Sequence, residues 1–157
     1  MALLLTAGAD ANWQAQSAEG QRPSRAQVRN ADSEILTLYR GPADELVLEL
    51  TIKSPQRLYG SSCPTFQIDK RRPQHHFAGG ENCAVKGRTV RYVVASESRG
   101  EIESLVAYRL LNGNDVNFRY RTNDGKYHQS RFTLGRSKQA VRAALGGDLS
   151  ASPGIDE

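Results

Sequence analysis

The chain has 157 residues, 38% of them hydrophobic and 24% charged, with 21 basic against 17 acidic side chains. This balance suits one globular domain with a sizeable core and excludes an intrinsically disordered chain. The net charge of +4 does not by itself imply a nucleic-acid partner, and no apolar run is long enough to span a bilayer.

The type of base says more than the count. Sixteen of the 21 basic residues are arginine. A guanidinium fork suits carboxylates and phosphates and stacks on rings, whereas lysine presents a point charge. Arginine-rich codon usage in a G+C-rich genome would produce the same bias.

The first stretch, Met1 to Ala11, is short and apolar and ends in Ala9-Asp10-Ala11. It reads as the remnant of a secretory signal with an A-x-A cleavage pattern but no basic n-region, or as a disordered apolar N-terminus. Residues 12–146 then form a single β-rich domain, and 147–157 a flexible tail.

Within the domain, Asn12 to Gln16 is a short strand that buries Trp13. Ser17 to Ser33 is polar and reads as a long loop. Ile35 to Tyr39 is a strand, Gly41-Pro42-Ala43-Asp44 a turn, and Leu46, Leu48, Leu50 and Ile52 alternate along a half-buried antiparallel strand. Thr65 to Lys70 turns Phe66 and Ile68 inward, and Arg71-Arg72-Pro73 stops it. Gln74 to Asn82 is a loop. Thr89 to Ala95 points Val90, Tyr92 and Val94 inward, and Ser96 to Glu103 is a polar connection.

Leu105 to Leu111 fits either helix or strand. Because Asn112-Gly113-Asn114 follows it directly and Val116 begins the next strand, it reads as the first arm of a hairpin.

Val116 to Arg121 and Tyr127 to Leu134 alternate apolar and polar residues on either side of Asn123-Asp124-Gly125. A two-residue loop would turn Phe132 to the wrong face. A three-residue loop with Gly125 in the left-handed conformation pairs Phe118 with Ser130 and Val116 with Phe132, which buries the apolar set. That register turns Arg119, Arg121, Arg131 and Tyr127 to solvent, together with Asn117 and Gln129, and places His128 inside. Finally, Ser137 is positioned to cap a helix with Val141, Ala144 and Leu145 on its apolar side and Gly146 at its end.

The expected fold is therefore mainly β within the α+β class: an antiparallel β-sandwich or twisted sheet with a short C-terminal helix.

Chemistry-bearing residues are few. Cys63 and Cys83 are an even pair that fits a disulfide in an exported protein. Two reduced thiols in a cytosolic protein is the other reading. His75 and His76 lie between them, but there is no C-x-x-C, and adjacent histidines rarely chelate one ion, so no metal or cofactor is expected. A metal- or thiol-dependent hydrolase built on these residues is a remaining alternative, without a nucleophile signature to carry it. Glu97, Glu101 and Glu103 suit a solvated loop better than general acid catalysis.

The exposed face of Arg119, Arg121, Arg131 and Tyr127 could bind a nucleic-acid backbone or another polyanion, or meet an acidic protein. It could equally be a solvated sheet face.

The stretch from Cys63 to Leu145 resembles the small exported bacterial proteins grouped with invasion-associated locus B. The resemblance rests on Cys63 before a strand carrying Ile68-Asp69, on Cys83 after a loop, and on Asn112-Gly113. The closing run of Phe132, Leu134, Ser137, Ala140, Val141 and Leu145 completes it. It implies a periplasmic or secreted β-rich domain with a C-terminal helix and no established enzymatic activity. The function expected of the whole chain is a non-enzymatic exported binding module, with an envelope protein or polyanion as partner. The resemblance supplies no catalytic residue.

Overall fold

The computed structural model describes residues 12–53, 55–71, 73, 82–147 and 149–154. In chain order the elements are β1 (Gln14–Gln16), β2 (Arg25–Arg29), β3 (Ile35–Arg40), β4 (Glu45–Thr51), β5 (Thr65–Ile68) and β6 (Cys83–Lys86). There follow β7 (Thr89–Ser98), β8 (Glu101–Glu103), α1 (Leu105–Asn112), β9 (Asp115–Arg121), β10 (Tyr127–Thr133), α2 (Ser137–Leu145) and β11 (Ser150–Ser152). The fold is mainly β with two helices. A large curled sheet has the order β1-β2-β3-β4-β7-β8-β11, with β6 also on β7, and a second sheet has the order β10-β9-β5.

The alternating strands explain both sheets. In β4, Leu46, Leu48 and Leu50 are buried on one face, as their period of two requires. Val90 and Tyr92 of β7, Phe66 and Ile68 of β5, and Val116 and Phe118 of β9 join them in one contiguous core. Phe66, Tyr92, Phe118 and Phe132 form a chain of ring contacts 5.1 to 6.2 Å apart that runs between the sheets. The Tyr92 hydroxyl donates to the Pro64 carbonyl at 2.7 Å across the same gap. Burial drives the Tyr92 phenol far above its usual range. The Cys63–Cys83 disulfide joins β6 of the large sheet to the residue two before β5.

At another corner, Trp13 is 6% exposed and its indole N–H donates to the Thr133 carbonyl at 2.7 Å. Asn30 donates to the Arg131 carbonyl. Both side chains occupy the outer edge of β10, where unpaired carbonyls would otherwise face another chain.

Five readings from sequence are corrected. Leu105–Asn112 is a helix, not a hairpin arm. Ser104 accepts from the Ala107 N–H, and Ala107, Leu110 and Leu111 are buried at helical spacing. Gly113 is the C-cap: its backbone is extended and its N–H donates to the Arg109 carbonyl, an approach so close that a Cβ there would lie 2.6 Å from that oxygen. The Asn-Gly signal is thus a helix stop rather than a turn between strands.

The polar segment before Ile35 is not all loop: it contains β2, with Ala26 and Val28 inward and fully covered. The tail is not free over its described part. Leu149 is 4% exposed and β11 pairs parallel with β8. Ser137 does not cap α2. The cap is Arg136, in the left-handed conformation, and the buried Ser137 hydroxyl donates to the Leu110 carbonyl at 2.8 Å, tying α2 to α1. In addition, Ser96 to Glu103 is a hairpin rather than an open connection. Arg99 and Gly100 both have positive φ, the geometry of a two-residue type I′ turn.

A candidate binding face on the three-stranded sheet

The β9–β10 hairpin has the register expected of it. Phe118 lies opposite Ser130 and Val116 opposite Phe132. Gly125 has a φ of 86° in the loop between the strands. The loop is held by the Thr122 hydroxyl, which donates to the Asp124 carboxylate, and by the Lys126 N–H, which donates to the same oxygen. Those two bonds, Thr122 first, hold the Asp124 carboxyl below its usual range.

On the outer face, Asn117 lies between Gln67 and Arg131, and Arg119 lies between Thr65 and Gln129. Asn117 donates to the Gln129 side chain at 3.0 Å. Arg121 lies opposite Tyr127, and the Tyr59 N–H donates to its carbonyl. Its guanidinium stands 4.7 Å from the centre of the Tyr59 ring and 5.8 Å from that of Tyr127. Tyr127 is 74% exposed. The cation is thus held between two rings by its electrostatic attraction to their π-faces. Among the described residues, neither Arg119, Arg121 nor Arg131 has an ion pair.

The predicted quartet of Arg119, Arg121, Arg131 and Tyr127 does share one surface. Tyr59 was missed. It belongs to a turn-rich connection in sequence and reaches the face only because Leu58 bridges to Thr122.

Behind this face lies a second polar group that sequence reading also missed. Glu34 is 3% exposed and accepts from Tyr120 at 2.8 Å, from Ser130 at 2.7 Å and from Asn30 at 3.1 Å. Burial, reinforced by Glu34 but opposed by Ser130, pushes the Tyr120 phenol up to about 12. One signal was available: Ser130 falls on the inward register among phenylalanines, and a buried hydroxyl needs a partner. Ser130 is 1% exposed, so it is sealed from any substrate. The group fastens the segment before β3 to the hairpin. His128 is half-buried, stacked on Tyr120 at 5.6 Å with Nε2 3.1 Å from the Thr122 hydroxyl oxygen.

His75, His76 and the apolar N-terminus lie outside the described residues, as does Arg72. Among the described residues no three His, Cys, Asp or Glu side chains could hold a metal ion together. Because the Cys63 and Cys83 sulfurs are joined, neither is a thiolate nucleophile or ligand. Among the described residues no helix is long and apolar enough to cross a membrane. Comparison with protein-family models, curated proteins and solved structures finds no match.

Proposed function

We propose that this protein is a non-enzymatic exported binding module whose three-stranded sheet face engages an acidic protein segment. The observation that carries this reading is the exposed Tyr59–Arg121–Tyr127 stack, flanked by Arg119 and Arg131. Tyrosine and arginine are the side chains that dominate binding at protein interfaces, and here the stacking limits the conformations that Arg121 must give up on docking. Unpaired cations on both sides of it match an acidic partner.

Export is supported by the Cys63–Cys83 disulfide, which persists in oxidising compartments, and by the A-x-A pattern near the N-terminus. A periplasmic or secreted site, and kinship with the invasion-associated locus B group, are parts of the same proposal.

Titration of the intact, disulfide-bonded chain with polyglutamate at low salt tests the face. Binding should weaken with salt and fall about tenfold or more in an R119A/R121A/R131A variant. Absence of binding, or binding unchanged in that variant, removes the proposal. Nucleic acid is the second reading, favoured by the exposed Tyr127 ring as a stacking platform. Tight oligonucleotide binding lost in Tyr127→Ala would select it.

A further inference from the structure

The outer face of the large sheet carries a separate basic surface, assembled from β2, β3, β4, β6 and β7. Two open grooves of about 720 and 840 Å³ meet there and share Glu49 and Arg91. The first is lined by Arg22, Arg25, Arg40 and Arg91, and the second adds Arg57, Lys86 and Arg88. Among the described residues Glu49 is the one carboxylate lining either groove.

That carboxylate is already engaged, since one of its oxygens accepts from the Tyr39 hydroxyl and from Arg91 Nε, each at 2.9 Å. Arg40 is paired with Glu97. The remaining five cations have no ion pair among the described residues.

Arg25 is the telling one. It is only 6% exposed, yet among the described residues its guanidinium donates to neutral acceptors alone, Gln27 Oε1 and the Pro23 carbonyl, both at 3.3 Å. A guanidinium withdrawn from water without a counter-charge is costly, and an anion seated in the groove would supply the missing charge.

We propose that this surface is a binding track for an acidic polysaccharide, a sugar chain bearing carboxylate or sulfate groups. From β2 to β6 the track crosses four inter-strand steps, which is roughly 19 Å. Cations at both ends therefore suit a linear ligand with repeated charges rather than a single small anion. Arginine forks bind carboxylate and sulfate oxygens in pairs. Gln21, Ser24 and Thr89, which also line the grooves, offer hydrogen bonds to sugar hydroxyls.

Among the described residues the one ring in the two linings, Tyr39, is half-buried and held by Glu49 through its hydroxyl. Over its described residues the track thus lacks the free ring on which a single-stranded nucleic acid would stack its bases.

The test uses the intact, disulfide-bonded chain titrated with heparin, alginate and a single-stranded oligonucleotide across a salt series. Heparin or alginate should bind more tightly than the oligonucleotide. Arg57→Ala with Arg88→Ala, both exposed positions, should weaken polysaccharide binding by about tenfold or more. Arg25→Gln, read beside its circular dichroism, should do the same with the fold retained.

The R119A/R121A/R131A variant should bind polysaccharide like the wild type, so this proposal and the acidic-partner proposal fail separately. No polysaccharide binding at low salt would overturn it. So would binding insensitive to the Arg57/Arg88 pair, or oligonucleotide binding that is tighter and lost in the same variants.

Discussion

The exposed face of the three-stranded sheet and the outer face of the large sheet are both arginine-rich, but they hold their arginines differently. On the first, Arg121 lies between two exposed tyrosines and Arg119 and Arg131 stand in solvent. On the second, Arg25 is nearly covered and a single carboxylate, Glu49, is shared by Tyr39 and Arg91. The first face comes mainly from one hairpin that is contiguous in sequence. The second is gathered from strands far apart along the chain. A count of basic residues treats the two alike, whereas burial and pairing separate them.

The comparison assumes that one core supports both faces, and Phe118→Ala tests this most severely. Phe118 is fully covered and touches Phe66, Tyr92 and Phe132. Its removal should cost about 3–5 kcal/mol in urea unfolding, in one transition that carries both sheets. Two separate transitions would show that the sheets are independent units.

Replacing Cys63 and Cys83 by serine opens the covalent link between the sheets. The expected loss is about 3 kcal/mol, measured under the same urea conditions against the oxidised wild type.

Alkaline titration divides the faces by their tyrosines. Tyr39 lies at the groove and Tyr120 behind the hairpin face, and both phenols are pushed up to about 12, chiefly by burial. The fold favours their neutral forms, so the stability they contribute is complete below about pH 10. It is lost as pH rises through about 12. Tyr39→Phe and Tyr120→Phe should each flatten that loss, seen as a shallower fall of the urea midpoint between those pH values. An unchanged slope in both variants would place the alkaline transition elsewhere.

Ser104→Ala removes the cap of α1 and should cost about 1 kcal/mol, with ligand binding at both faces unchanged. The smallest expected effect on stability is that of Arg121→Ala. A cation–π contact at an exposed site is worth about 0.5–1 kcal/mol, so the melting temperature should barely move. Acidic-peptide binding should fall while polysaccharide binding persists. A large loss of stability would make the Tyr59–Arg121–Tyr127 stack a structural brace instead.

Much of the strand pattern was legible. Leu46 to Ile52 and Val116 to Phe132 announce their buried faces by strict alternation, and the Asn123–Gly125 loop has one register that buries them. Helix α1 was misread because Leu105 to Leu111 satisfies both periods, and only the Ser104 cap and the helix neighbours at α2 and β7 decide between them. Strand β2 was missed because only Ala26 and Val28 in it are apolar. The inward Ser130 was the one trace of the Glu34 cluster, which could not be assembled from sequence because Tyr120 and Ser130 lie 86 and 96 residues from Glu34.

By itself, then, the sequence determined the mainly β class, the hairpin register and the exposed quartet of Arg119, Arg121, Arg131 and Tyr127. These follow from local periodicity and turn chemistry, which neighbours a few residues apart can enforce. It also contained a cysteine pair compatible with a bridge, which the fold then brought together. Only the tertiary structure decided that Tyr59 completes the stack, that Glu34 is buried between the sheets, and that Arg22, Arg25, Arg57, Lys86 and Arg88 line two grooves of one surface. Those placements depend on which strands pair, and pairing is set by the burial of the whole core rather than by any one segment.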